Sequence, residues 1–244
     1  MTAQAESTWE TRAETITQQA PSQSDLDPVA KLPDLRDYPA GPVRKKVFLK
    51  FLVPLVEAEN ARIAAQREWL ETLQAKGGAK TPKERERLAL LCKEYELECR
   101  DQRVSGQLLA RVNTVPLSMA IIQAIEESGW GTSRFARQGN NLFGLRCFKE
   151  GCGLAQKGSG REYSAFDTVR DAVRTYLHTL NTHATYAPLR ERRAQLLAQG
   201  SPVTAEVLID TLEGYATRHD YQRVLLSLLR SNLRLIERHR TETA

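Results

Sequence analysis

The sequence is poor in the residues that mark several functional classes. Its 244 residues include 4 histidines, 4 cysteines, 2 methionines and 3 tryptophans, and aromatic residues make up 7%. No apolar run approaches the ~20 residues of a membrane-spanning helix. The longest useful run covers residues 51–56 and contains Pro54. Residues 1–20 are polar and acidic, without the basic segment and apolar stretch of a secretory signal. Zinc-finger spacing, an RNP-type aromatic strand and a basic-region zipper are also missing, so no nucleic-acid partner is expected. Glycine (14) and proline (10) are at ordinary levels, which excludes collagen-like and linker-like chains. What is present is 41% hydrophobic and 27% charged, with a formal charge of +5. That describes a mildly basic globular chain. The basic residues are interleaved with acids, as on solvated helix faces; attraction to an anionic polymer is the functional alternative.

Organisation follows from punctuation and periodicity. Residues 1–42 carry Pro21, Pro28, Pro33, Pro39 and Pro42 among Ser, Thr and Gln, the composition of a disordered or loosely docked leader. From 43 to about 76, Val47, Phe51, Leu55, Ala58 and Ala65 recur at helical steps, with a kink or break expected at Pro54. Gly77-Gly78 stops this helix, and Thr81-Pro82 starts another expected to run to about 100. Short helices are expected at 104–112 and 133–138, and a strongly apolar one from Pro116 to about Ser128. Further helices fall at 168–182, 186–199, 204–211 and 220–238. Residues 161–166 alternate as a strand, one arm of a small hairpin. The domain reading is a leader (1–42), a helical arm (43–112) and a helical α+β domain (113–240).

The chemistry concentrates in Ala120-Ile-Ile-Gln-Ala-Ile-Glu-Glu-Ser-Gly-Trp-Gly131. A helix apolar nearly all round is buried, and ending it in Glu126 and Glu127 is costly unless they face water or a partner. Neighbouring helical positions point ~100° apart, so at most one of the two aims into a given groove. Position 127 sits above Ala120, Gln123 and Ala124, a small-residue face with room for a ligand. The negative helix C-terminus and burial both favour a raised carboxyl pKa, which suits a general acid. Ion pairs with Arg134 and Arg137 are the structural alternative.

Glu127-Ser-Gly-Trp-Gly-Thr-Ser-Arg-Phe-Ala136, followed by Gly139-Asn-Asn-Leu-Phe-Gly144, resembles the glucosaminidase domain of bacterial peptidoglycan hydrolases, glycoside hydrolase family 73. Cys147-Phe-Lys-Glu-Gly-Cys-Gly153, Leu180-Asn-Thr-His183 with Tyr186 and Leu189-Arg190, and Pro54-Leu-Val-Glu-Ala-Glu-Asn60 resemble its Bax-type branch. The resemblance covers roughly residues 43–235. It implies a lysozyme-like α+β fold, predominantly helical with a small β-hairpin, and a peptidoglycan glycan strand as substrate. By the same resemblance Glu127 protonates the glycosidic oxygen at N-acetylglucosamine. Gly214-Tyr-Ala-Thr217 is similar to a family segment that places Tyr215 in the groove. Ser128, Trp130, Asn141 and Phe143 fall at groove-shaping, substrate-binding positions; Trp130 and Phe143 also fit as core aromatics. The resemblance implies no cofactor and no metal, and action outside the cytoplasm, in the periplasm or cell envelope.

Two-carboxylate glycosidases place a base or nucleophile across the scissile bond. Family members usually draw theirs from a longer hairpin than residues 154–166 can form. Glu162 is the first candidate, followed by Glu150 and Asp167; otherwise the substrate's 2-acetamido group serves as internal nucleophile. Cys147 and Cys152 bracket a turn that a disulfide could close in an oxidising compartment. Cys92 and Cys99 lie seven apart on an expected continuous helix, ~10 Å along its axis, too far to pair. A zinc site from Cys147, Cys152, His178 and His183 is a loose rival. Two other activities compete: a lytic transglycosylase, and a non-catalytic cell-wall binding or scaffold module.

Overall fold

The computed structural model describes residues 32–149, 151–216 and 218–240. It has the predominantly helical α+β architecture expected for a lysozyme-like domain. In chain order the helices are α1 (Pro42–Ala75), α2 (Pro82–Glu94), α3 (Gly106–Arg111), α4 (Leu117–Ser128) and α5 (Arg134–Gly139). Strands β1 (Arg146–Cys147), β2 (Gly153–Ala155) and β3 (Glu162–Ser164) follow, then α6 (Val169–Thr182), α7 (Ala187–Ala198), α8 (Ala205–Ile209) and α9 (Tyr221–Glu237). The described residues divide into two compact units. The first takes 32–57, 120–174 and 228–240, and the second 58–119 and 175–227. Both draw on residues from both sides of position 112.

Two features of α1 differ from the sequence-based expectation. The helix runs unbroken through Pro54. An interior proline costs ~3 kcal/mol or more, but here Leu52, Val53, Leu55 and Val56 around it are at most 2% exposed, so burial of the apolar stripe offsets the lost backbone bond. Residues 32–41, assigned by sequence to the leader, are packed. Asp34 caps a 3-10 turn over Leu35–Asp37, Leu35 is fully buried, and Arg44 ties the carbonyl of Tyr38 back to α1 at 2.8 Å. The remainder of the expected leader, residues 1–31, lies outside the described residues.

Helix α2 starts where expected, with a capping box between Thr81 and Glu84 and Pro82 in its first turn. It ends at Glu94, about six residues early. Glu96 adopts φ 55°, the amide of Leu97 donates to Cys92 at 2.8 Å and that of Glu96 to Lys93 at 3.2 Å. This pair of bonds is a Schellman stop with glutamate in the place usually held by glycine. The chain folds back, Cys92 and Cys99 come to a Cα separation of 5.9 Å, and they form a disulfide. The expectation that these thiols are too distant to pair is therefore wrong, because the helix it assumed does not continue. Where one strand of a small hairpin was expected, the described residues form three, in antiparallel order β1-β3-β2, with Glu162 opposite both Cys147 and Ala155.

The second unit is organised around a buried cation. Arg193 on α7 is 1% exposed and donates to the carbonyls of Ala110, Asn113 and Thr114 and to Oδ1 of Asn181. Asn181 in turn donates to Asn113, while Arg190 donates to the carbonyls of Leu180 and His183. Burial, with Arg67 and Arg190 nearby, pulls the Arg193 guanidinium down to about 9, which leaves it charged at neutral pH. Only the forked geometry of a guanidinium reaches all four acceptors. Arg193→Lys is expected to orphan two or more carbonyl groups and to lower stability by ~2–4 kcal/mol. Urea unfolding checks this; an unchanged midpoint would contradict the assigned role of the fork.

Candidate active site

Helix α4 is an apolar shaft. Ala120, Ile121, Ile122, Gln123 and Ala124 are fully buried. Its end is a Schellman turn in which Gly129 takes the left-handed position (φ 56°) and the amide of Trp130 donates to Ile125 at 3.3 Å. The left-handed path then continues: Trp130 has φ 58° and Gly131 φ 75°. Ser128 fastens the turn from inside, its hydroxyl donating to Ala124 and accepting the amide of Gly131 at 2.8 Å. Ser133 restarts the chain as the N-cap of α5. Glu127 is the penultimate residue of α4 and is half-buried.

A second segment, residues 139–145, reaches the same point. Asn140 adopts φ 51° and donates to the carbonyls of Phe166 and Asp167. The Asn141 amide donates to Leu145 at 2.8 Å and Ser164 at 2.9 Å, and its oxygen accepts the Leu145 amide at 3.0 Å. Phe143 is fully buried. Together they hold the backbone of Gly144 directly against the Glu127 side chain. A Cβ at position 144 would lie 2.9 Å from Oε2 of Glu127, and the residue has φ +63°. The positive φ favours glycine here, and a side chain at this position would displace the Glu127 carboxylate.

The expected site residues therefore take different parts. Ser128, Asn141 and Phe143 are at most 1% exposed: the Ser128 hydroxyl and the Asn141 amide bind backbone, and Phe143 is a core aromatic. Trp130 is half-buried, its ring edge-on to Phe48 at 5.5 Å with the Lys45 ammonium 4.8 Å from its centroid. Arg134 donates to the Ala155 carbonyl and Arg137 to that of Thr132. Tyr215 belongs to the second unit, where it stacks on Tyr221 (5.6 Å, 5° between planes) and lies 5.9 Å from Tyr186.

Glu162 projects toward the hairpin loop. The Gly151 amide donates to its Oε1 at 3.2 Å, and its Oε2 lies 3.5 Å from the Cys152 sulfur. Cys147 and Cys152 close this loop as a disulfide with a Cα separation of 6.1 Å. Glu150 lies outside the described residues, and Asp167 is exposed. The zinc alternative loses its thiolates to that disulfide. Its histidines are engaged locally too, His178 Nε2 with the Glu94 carbonyl and His183 Nδ1 with the Thr185 amide.

Gly144 as the neighbour of the Glu127 carboxylate was not legible in the sequence, since nothing in a motif says which side chain a glycine makes room for. Phe48 and Lys45 beside Trp130 carried no signal beyond helical periodicity.

The chain is similar to several known proteins. Residues 105–234, more than half of the chain, match the family model described as mannosyl-glycoprotein endo-beta-N-acetylglucosaminidase. The chain is 41% identical over 214 residues to Protein bax of Escherichia coli K12, covering 86% of this chain and 77% of that protein. It is 30% identical over 124 residues to the exo-glucosaminidase LytG of Bacillus subtilis, covering 48% of this chain and 44% of LytG. The catalytic domain of the autolysin Auto from Listeria monocytogenes superposes with a TM-score of 0.45 at 16% identity, covering 87% of this chain and 99% of that one. The two motif segments that meet at Glu127 and Gly144 lie inside the matched region, and the chain belongs to the glucosaminidase family of glycoside hydrolases.

Proposed function

We propose that this protein cuts the glycan strands of bacterial peptidoglycan at N-acetylglucosamine, as an endo-acting hydrolase with Glu127 as general acid. The observation that carries the reading is the packing of the Glu127 carboxylate against Gly144, where the two motif segments converge. A carboxylic acid at the end of a buried helix, held from one side by backbone, can deliver a proton to a glycosidic oxygen on its open side. The family description supports N-acetylglucosaminide chemistry, and LytG supports a glucosaminidase role in a bacterium. Glu162, oriented by the Gly151 amide, is the proposed second carboxylate; Tyr215 is a proposed groove residue. The site of action is extracytoplasmic. Supporting this, all four cysteines are paired, which fits an oxidising compartment. Among the described residues no helix is long and apolar enough to cross a membrane.

Glu127→Gln keeps the shape of the side chain and removes its acid function. It is expected to fold normally and to lose about 10²–10⁴-fold in the release of soluble fragments from purified sacculi. Retention of wild-type lysis would sink the assignment. Mass spectrometry of the wild-type products is expected to show reducing N-acetylglucosamine ends; anhydro-muramyl ends would assign a transglycosylase.

A second prediction isolates the Gly144 contact. Gly144→Ala and Gly200→Ala both place a side chain at positive φ, with a similar backbone cost of ~1–2 kcal/mol. Only Gly144→Ala meets the Glu127 carboxylate; at Gly200 nothing lies within 4 Å. Gly144→Ala is expected to lower kcat by about 10²-fold, because displacing a reacting group by ~1 Å is enough for that. Gly200→Ala is expected to change thermal stability and not kcat, and equal activity of the two variants would refute the contact's importance.

A further inference from the structure

The family match begins at residue 105, yet the turn that follows Glu127 is enclosed by residues 32–48, well upstream of it. An ideal Cβ at Gly131 would lie 2.5 Å from Cδ1 of Leu35, 3.2 Å from Cδ2 of Leu32 and 3.3 Å from Cδ2 of Phe48. Leu35 and Phe48 are fully buried. Phe48 also meets the Trp130 ring edge-on, and Lys45, anchored to Asn232 Oδ1 at 3.1 Å, presents its ammonium to that ring. Within the segment that follows, Arg137 donates to the Thr132 carbonyl at 3.2 Å.

Phe48 and Lys45 meet Trp130 itself, and Leu32, Leu35 and Phe48 crowd the glycine that follows it. A left-handed backbone at a bulky residue such as Trp130 costs roughly 1–2 kcal/mol and persists only where the surroundings over-determine it. Ser128 fixes the inner side of the turn; Leu35, Phe48 and Lys45 enclose its outer side. Without that enclosure Trp130 is free to relax toward negative φ, which unwinds the Schellman turn and lets the last turn of α4 fray. Glu127 sits in that last turn.

We infer that residues 32–48 are part of the active-site machinery, with Leu35 and Phe48 acting as positioning residues that hold the 129–131 turn and, through it, the Glu127 carboxylate. The inference rests on the reading of Glu127 as the acid. It also assigns Trp130 to the support of the turn instead of to the substrate.

The test compares full-length variants on soluble glycan strands, with kcat expressed per folded molecule from the folded fraction measured by circular dichroism. Leu35→Ala and the milder Phe48→Leu, which keeps an apolar side chain and so preserves folding, are expected to lower kcat by about tenfold or more with KM within about twofold, as for a reacting group out of place. Leu70→Ala, a fully buried α1 position in the second unit, is the control. It is expected to lower the unfolding temperature and leave kcat per folded molecule within about twofold, the outcome for packing alone. Wild-type kcat per folded molecule in both Leu35→Ala and Phe48→Leu overturns the inference, and so does an equal kcat loss in Leu70→Ala. Glu127→Gln is assayed alongside. An active Glu127→Gln overturns the reading beneath the inference, whereas an inactive one beside fully active arm variants overturns the inference alone.

Discussion

Three successive left-handed residues, Gly129, Trp130 and Gly131, are the constraint on which the first unit depends. Two glycines take that conformation without penalty; the tryptophan between them does not. The rest of the unit is arranged to tolerate it. Ser128 turns its hydroxyl inward to hold Gly131, α1 supplies an aromatic edge and a cation to the indole, and the 3-10 turn before α1 fills the space that a side chain at 131 would have taken. The result is an abrupt end to an apolar helix with an acidic side chain at its rim. A helix that frayed gradually would leave that carboxylate in many orientations and surrounded by water.

The second unit solves a different problem. It binds loop backbone with a buried cation. Among the described residues no carboxylate is paired with Arg193; carbonyl oxygens surround its guanidinium in place of water. Such an arrangement is costly unless carbonyl acceptors surround the cation. Ala110 lies at the end of α3, where a helix C-terminus leaves carbonyl groups without helical partners, and Asn113 and Thr114 lie in the loop before α4. Asn60 does the same from α1, donating to the Val115 carbonyl and accepting its amide. Several motif residues of the second unit, Asn60, Asn181 and Arg190 among them, are thus fasteners of backbone.

How much of this was legible depends on how each device is written. The stop of α1 at Gly77 and the stop of α2 at Glu96 use the same two backbone bonds. The first was readable because glycine announces the left-handed position; the second was not, because glutamate there looks like one more helical residue. The hidden stop also hid the Cys92–Cys99 bridge, which is local in space only after the chain has turned. The hairpin was half visible. β3 alternates, while β1 and β2 are two and three residues long and gain strand geometry from pairing with β3, a tertiary effect that no local pattern encodes. Patterning put two carboxylates at the end of a buried helix, and the resemblance pointed to Glu127 of the two. Its neighbour Gly144 lies 17 residues downstream, and sequence spacing says nothing about that contact.

The two motif segments illustrate why sequence signatures overstate direct contact with substrate. Of the residues between 127 and 144 that carry the resemblance, Ser128, Asn141 and Phe143 are withdrawn from solvent, and both asparagines spend their amides on carbonyl groups. What they produce is the placement of a backbone atom, Cα of Gly144, beside a carboxylate.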